Sequence, residues 1–205
     1  VETLGKEVRL STPLSREEVR DLEVGDVVHI SGPVFTARDM AHKRILEHLR
    51  DGRGLVEDLE GGALFHAGPV VRRRDGGWEV IAIGPTSSIR MEPYSEAILG
   101  RLGVRAIIGK GGMGEETLSA LQRHCGVYLL SPPGCAAIQG RALRRVLGVH
   151  WLDLGIPEAI WVLEAEDWGP LIVGMDSRGG SIFRMVRERA LKRLSELLGD
   201  GVDAR

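Results

Sequence analysis

Cysteine is scarce in this chain: Cys125 and Cys135 are the only two among 205 residues. Two thiols cannot build a disulfide framework, and alone they are too few for an iron–sulfur cluster or a structural zinc. So little cysteine points to a reducing compartment, and the expected location is cytoplasmic. Long apolar runs are also missing. No stretch approaches the length that spans a bilayer, so no membrane contact is expected, and the opening residues 1–6 show no signal-peptide h-region. A basic excess is lacking too. Twenty-seven Lys and Arg stand against 29 Asp and Glu, for a net charge of −2, which argues against a general nucleic-acid binder. There is no internal repeat, low-complexity tract or linker-like segment, so residues 1–205 read as a single domain large enough to bury a core.

What is present is concentrated between Gly84 and Gly112. One compact polar segment, Gly84-Pro85-Thr86-Ser87-Ser88-Ile89-Arg90, follows the apolar run 78–83. A second, Gly109-Lys110-Gly111-Gly112, follows the run 104–108. Short β-rich runs that stop at Gly/Pro turns read as buried strands, and loops at strand ends are where a scaffold presents working groups. These loops carry a hydroxyl, a guanidinium and an ammonium ion, with backbone N–H groups bared by glycine. Such a set suits a small anion.

The remaining pattern predicts a mixed α/β fold. Strands are expected at 6–10, 27–30, 62–71, 78–83, 105–108, 127–130, 148–152, 159–165 and 169–175. Ser15-Arg16-Glu17-Glu18 is a capping box opening a short helix. Further helices are expected at 38–50, with Met40, Ile45 and Leu49 as its apolar members, and at 92–102, 115–124, 136–143 and 181–198. Asp75-Gly76 between two apolar runs predicts a hairpin. Hairpins and crossovers both occur, so a mixed sheet with packed helices fits better than a doubly wound fold.

Several familiar patterns fail on inspection. Gly109-Lys110-Gly111-Gly112-Met113-Gly114 matches G-x-G-x-x-G, but no acid stands at the tip of the next strand to hold a ribose. It is not a P-loop either, since Lys110 is followed by Gly111 rather than Ser or Thr. His124, Cys125 and Cys135 lack ligand-like spacing and read as a helix end and ordinary thiols. Trp151, Trp161 and Trp168 lie among aliphatics and read as core or interface. The arginines at 72–74 and across 184–193 read as solvated surface.

The stretch Ser31-Gly32, then Thr36-Ala37-Arg38-Asp39-Met40-Ala41-His42-Lys43-Arg44, is more specific. With the Gly84–Met91 segment, Gly109 to Met113, Ser131 to Ala137 and Asp153 to Ala159, it resembles the β-subunit of class I iron–sulfur hydro-lyases. That family includes two-subunit fumarate hydratase and L-tartrate dehydratase, and the same unit forms the C-terminal half of single-chain class I fumarases. The similarity runs from about residue 8 to residue 183 and implies a swivelling β/β/α domain. It further implies a partner α-subunit that holds a [4Fe–4S] cluster with one iron open to substrate, this chain itself holding no metal. A hetero-oligomer follows, with α2β2 a natural form. Matched motif to motif, Arg38, Thr86, Arg90 and Lys110 fall on substrate-contacting positions, and Thr86 is the candidate for the catalytic proton transfer at carbon. The segment after Gly84 reads Thr-Ser-Ser where the family commonly has Thr-Thr, which leaves the role of the Ser87 hydroxyl open.

The implied reaction explains these residue types. Removing water from a 2-hydroxy dicarboxylate needs a proton taken from the carbon beside a carboxylate and a hydroxyl released, the open iron acting as Lewis acid. Charge gathers on that carboxylate, so fixed cations must meet it. The guanidinium forks of Arg38 and Arg90 pair with carboxylates, and Lys110 adds a compact charge. Thr86 either transfers the proton or only hydrogen-bonds the substrate while a partner residue does so. Reversible hydration of fumarate to L-malate is the leading expectation, with dehydration of L-tartrate to oxaloacetate as the alternative. A non-catalytic anion- or nucleotide-binding module and a pure assembly scaffold are the readings from other classes.

Overall fold

The computed structural model describes residues 5–55 and 57–198; residues 1–4, part of the stretch read above for an h-region, lie outside the described residues. The strands are β1 (Glu7–Ser11), β2 (Val27–Thr36), β3 (Ala63–Phe65), β4 (Val70–Arg74), β5 (Gly77–Ala82), β6 (Ala106–Gly109), β7 (Val127–Leu130), β8 (Arg145–His150) and β9 (Ile160–Met175). The helices are α1 (Arg16–Arg20), α2 (Asp39–Arg50), α3 (Ser95–Gly100), α4 (Glu115–His124), α5 (Ala136–Ala142) and α6 (Ile182–Leu198).

Strand pairing closes a ring. β2, β3, β6 and β7 run parallel in that order. β9 then pairs antiparallel with β7 on one side and with β2 on the other. β1 adds to β2, while β8, β5 and β4 extend from β9. The short parallel strands alternate between two buried faces. Ala63, Phe65, Ala106, Ile108, Val127 and Leu129 join one apolar cluster with Trp161, Trp168 and Val173. Leu64, Ile107 and Tyr128 join a second, together with Ala41 and Ile45 of α2, Ile98 and Leu99 of α3, and Leu118 and Leu121 of α4. Burial on both faces is why these strands read as unbroken apolar runs rather than alternating ones. The mixed sheet with packed helices of the swivelling β/β/α type is therefore the fold.

Local chemistry accounts for the element ends. The predicted capping box is present: Glu18 N–H donates to Ser15 Oγ at 3.2 Å and Ser15 N–H to Glu18 Oε2 at 2.8 Å. The Arg74-Asp75-Gly76-Gly77 hairpin forms as predicted, joining β4 to β5, with Asp75 and Gly76 at positive φ. The arginines at its base are solvated but paired: Arg72, Arg74 and Arg144 surround Glu79.

Several expectations need correction. The run 78–83 is no buried strand, because β5 lies outside the ring and only Val80 and Ile83 of the run are buried. The helix expected at 92–102 begins as a 3-10 segment, Ser88–Tyr94, and becomes α-helical at Ser95, since Pro93 has no N–H to donate. The strand expected at 148–152 is β8, which starts at Arg145 and stops at His150, because Trp151 turns left-handed at φ 60. The two strands expected at 159–165 and 169–175 are one, β9, which β2 accompanies through two register shifts. Met40 is 46% exposed; Ala41, His42 and Ile45 form the buried face of α2 instead. Trp161 and Trp168 are core, against Trp78 and Phe65 respectively, while Trp151 is half-buried beneath Arg44.

Candidate active site

Because β2, β3, β6 and β7 are parallel, their carboxyl ends share one rim of the ring. The residues that follow each end are therefore brought together: Arg38 after β2, His66 after β3, Lys110 after β6 and Ser131 after β7. Carboxyl ends of parallel strands are where α/β folds bind ligands. The segment 84–90 is laid across this rim by backbone bonds. Thr86 N–H donates to the His66 carbonyl at 2.7 Å, and Ser88 N–H to the Lys110 carbonyl at 3.1 Å. Ser87 and Lys110 form a parallel bridge.

Beneath the segment the packing allows no spare atom. A Cβ on Gly109 would collide with Ser88 Oγ and lie 3.1 Å from Ser88 Cβ. Ser88 Oγ in turn shares a 3.0 Å hydrogen bond with His66 Nδ1, both side chains being buried. The His66 ring meets that of His42 edge-on, at 5.2 Å between centroids, and His42 Nδ1 lies 2.8 Å from the Arg38 carbonyl. Burial pushes the pKa of His42 down to about 4, outweighing the Arg38 carbonyl and the Asp39 charge. Burial, aided by His42 and Arg90, holds His66 well below the ordinary imidazole range. Both rings are therefore uncharged near neutrality, and the floor adds no cation to the site.

Above this floor the charged groups are arranged in pairs. Arg90 Nε and Nη2 each lie 3.0 Å from the Asp39 carboxylate, one oxygen apiece, and Nη2 also donates to Thr86 Oγ1 at 2.9 Å. Arg90 therefore does not present an open two-pronged fork, as its sequence context suggests. Asp39 fills that side, and Nη1 is left without an acceptor among the described residues. Burial would raise the Asp39 pKa, but the hydrogen bonds and charge of Arg90, with Arg38 nearby, more than offset it and lower it.

Arg38 stands at the N-cap of α2. Its Nε is 3.4 Å from Glu158 Oε1 but is not aligned to donate, and that buried N–H has no hydrogen-bond partner among the described residues. Glu158 spends its other oxygen on the Met40 N–H, at 2.9 Å. The Lys110 ammonium has no ion pair among the described residues, and it borders a cavity of about 540 Å³ with Ser87, Ser131 and Phe183. Tyr128 O–H donates to the Gly111 carbonyl at 2.8 Å, fixing the turn that follows Lys110.

The structure thus brings Arg38, Thr86, Arg90 and Lys110 to one rim. It adds Asp39, Glu158, His66 and Ser88, whose parts sequence reasoning missed. Asp39 lay in plain view beside Arg38 in a quoted motif; Glu158 also stands in a quoted motif, but only the fold brings it opposite Arg38. His66 and Ser88 gave no signal, since their pairing depends on β3 and β6 being neighbours.

The helix that follows the G-x-G-x-x-G pattern is closed to phosphate. Glu92 Oε1 accepts the Thr117 N–H at 3.1 Å, and a Cβ on Gly114 would meet the same carboxylate at 2.5 Å. Glu115 and Glu116 occupy the first turn. A carboxylate already supplies the negative charge that a helix N-terminus favours. Among the described residues, no group of three or more His, Cys, Asp or Glu is placed to hold a metal ion, and no helix is long and apolar enough to cross a membrane.

A family model described as the fumarase C-terminus matches residues 2–186. The chain is 42% identical over 187 residues to a Methanocaldococcus jannaschii protein provisionally named L(+)-tartrate dehydratase subunit beta, covering 91% of this chain and 96% of that one. It is 39% identical over 174 residues to the L(+)-tartrate dehydratase subunit beta of Escherichia coli K12, covering 85% of each. A Geobacillus stearothermophilus protein provisionally named fumarate hydratase class I is 43% identical over 190 residues, but these span 92% of this chain and only 36% of that protein.

Proposed function

The chain belongs to the fumarase C-terminus family, and on that premise we propose that it is the β-subunit of a hydro-lyase acting on a four-carbon hydroxy dicarboxylate. Its site would be shared with a cluster-bearing α-subunit. Two cysteines, one of them buried in the core, do not suit this chain to carry a [4Fe–4S] cluster, so that group is assigned to the partner. Among substrates, L-tartrate is favoured over fumarate and malate. The relatives named as tartrate dehydratase β-subunits match this chain over most of their own length, whereas the fumarate hydratase relative is matched over about a third.

The observation that carries the reading is the 2.9 Å hydrogen bond from Arg90 Nη2 to Thr86 Oγ1 at the rim where Arg38 and Lys110 also stand. A donated guanidinium N–H stabilises the oxygen of Thr86 in its anionic form, which a hydroxyl needs before it can take a proton from carbon. The remaining donors of Arg38 and Arg90 and the Lys110 ammonium meet the substrate carboxylates, including the one on which charge gathers as the C–H bond breaks. Three cations stand against the carboxylates of Asp39 and Glu158, leaving a single positive surplus before a dianionic substrate arrives. The cluster of the partner subunit, when bound, would supply the Lewis acid for the leaving hydroxyl.

The test is anaerobic reconstitution with a cluster-loaded α-subunit from the same genome. L-tartrate should yield oxaloacetate in the mixture and in neither chain alone. Faster conversion of malate to fumarate would instead make it a fumarate hydratase subunit, and a stable complex inert to both would overturn the substrate class.

A further inference from the structure

We infer that Asp39 is a positioning residue for the reaction: its carboxylate holds Arg90 in the one orientation that aims an N–H at Thr86 Oγ1. The inference rests on the reading of Thr86 and Arg90 given above and deepens it. Donor counting carries the argument. A guanidinium has five N–H donors. Asp39 takes Nε–H and one Nη2–H, each at 3.0 Å, and Thr86 takes the second Nη2–H at 2.9 Å. A planar fork held at two adjacent donors by one carboxylate has little rotational freedom left, so the direction of the third donor is set by the first two. The two donors of Nη1 remain for a substrate carboxylate.

The arrangement fits positioning better than a plain surface ion pair. Arg90 is 45% exposed and Asp39 41% exposed, and a long arginine at such a site would otherwise sample several rotamers. Asp39 itself is anchored, as the first residue of α2 next to the N-cap Arg38. It thus couples the loop after β2, which carries one candidate substrate arginine, to the 84–90 segment, which carries the other. Asp39 also sits where the substrate need not displace it, since none of the described residues accepts from Nη1. Accordingly it acts before and during turnover and is not an occupant expelled by the ligand.

The experiment uses the assembled two-subunit enzyme. Asp39→Asn keeps the shape but puts an N–H₂ where one carboxylate oxygen accepts from Arg90. It should lower kcat on the order of tenfold to a hundredfold with KM changed much less, as a misaimed group does. Asp39→Glu should recover part of the loss. In an Arg90→Lys background, where there is no fork to aim, Asp39→Asn should cost less than about threefold. A crystal structure of Asp39→Asn should show Arg90 Nη2 beyond hydrogen-bond reach of Thr86. An equal penalty in both backgrounds, or a retained Arg90–Thr86 bond, would overturn the proposal and leave Asp39 as a helix-terminal charge. If Asp39→Asn does not assemble, Asp39→Ser, which keeps a polar helix start, serves the same comparisons. Failure of the underlying reading looks different: Arg90→Ala and Thr86→Val would then turn over at the wild-type rate with Asp39 intact.

Discussion

His66 Nδ1 and Ser88 Oγ lie 3.0 Å apart in the buried floor of the site, joining the end of β3 to the segment that carries Thr86. The Ser88 hydroxyl also faces the Tyr128 hydroxyl, and Gly109 leaves no room for a larger neighbour. Ser88→Ala should therefore strand a buried imidazole nitrogen and destabilise the chain by about 1–3 kcal/mol. Gly109→Ala should be worse tolerated, because its Cβ must push the Ser88 side chain aside. Urea unfolding of both variants checks this. Stability equal to wild type in Ser88→Ala would mean that water replaces the hydroxyl.

The buried histidines give stability a predictable pH dependence. His42 titrates near 4 in the folded chain, against an ordinary value of 6.5. Below pH 6.5 the unfolded chain takes up a proton that the folded chain refuses. The stability present above that pH is therefore lost progressively as pH falls toward 4. His42→Asn keeps a donor for the Arg38 carbonyl and removes this titration, so its stability should fall less steeply between pH 6.5 and 5. An undiminished slope would show that His42 takes up its proton inside the fold.

Thr86 has two readings that kinetics can separate. If it transfers the proton, Thr86→Val should cost about 10²–10⁴ in kcat, with KM nearly unchanged, and Thr86→Ser should retain most activity. If it only binds substrate, the loss should be nearer tenfold and appear in KM as well.

Lys110 distinguishes dicarboxylate chemistry from nucleotide binding. Its ammonium lacks an ion pair among the described residues, so Lys110→Ala should change stability by less than about 0.5 kcal/mol. In the assembled enzyme, losing one charge-assisted contact should raise KM about tenfold or more. Because Glu92 already caps α4, equilibrium dialysis of the chain with ATP or NAD should show no saturable binding. Retention of either nucleotide, lost in Lys110→Ala, would favour the binding-module reading instead.

Local signals were legible wherever the chemistry is local. The Ser15–Glu18 capping box and the Asp75-Gly76 turn satisfy their own neighbours, so a few adjacent residues specify them. Helical spacing marked α4 and short apolar runs marked β6 and β7, whereas the run 62–71 read as one strand and is divided between β3 and β4. Misreadings arose where a distant partner decides. Residues 166–168 read as a break between two strands, yet β2 carries β9 through them, and Met40 fits the apolar spacing of α2 yet is exposed while Ile45 is buried.

By itself the sequence determined that the chain has apolar strands ending in polar loops, which residue types those loops offer, and the family motifs that contain Arg38, Thr86, Arg90 and Lys110. Only the tertiary structure decided which of those loops meet. Parallel pairing puts four strand ends on one rim, and residues 22 and 51 apart in sequence become hydrogen-bonded neighbours there. It also decided that Arg90 is held by Asp39 and that Glu158 stands 3.4 Å from Arg38. The reason is physical. Charge and hydrogen-bonding capacity are written residue by residue, but the partner that consumes them is chosen by distance and angle, and those exist only once the ring has closed.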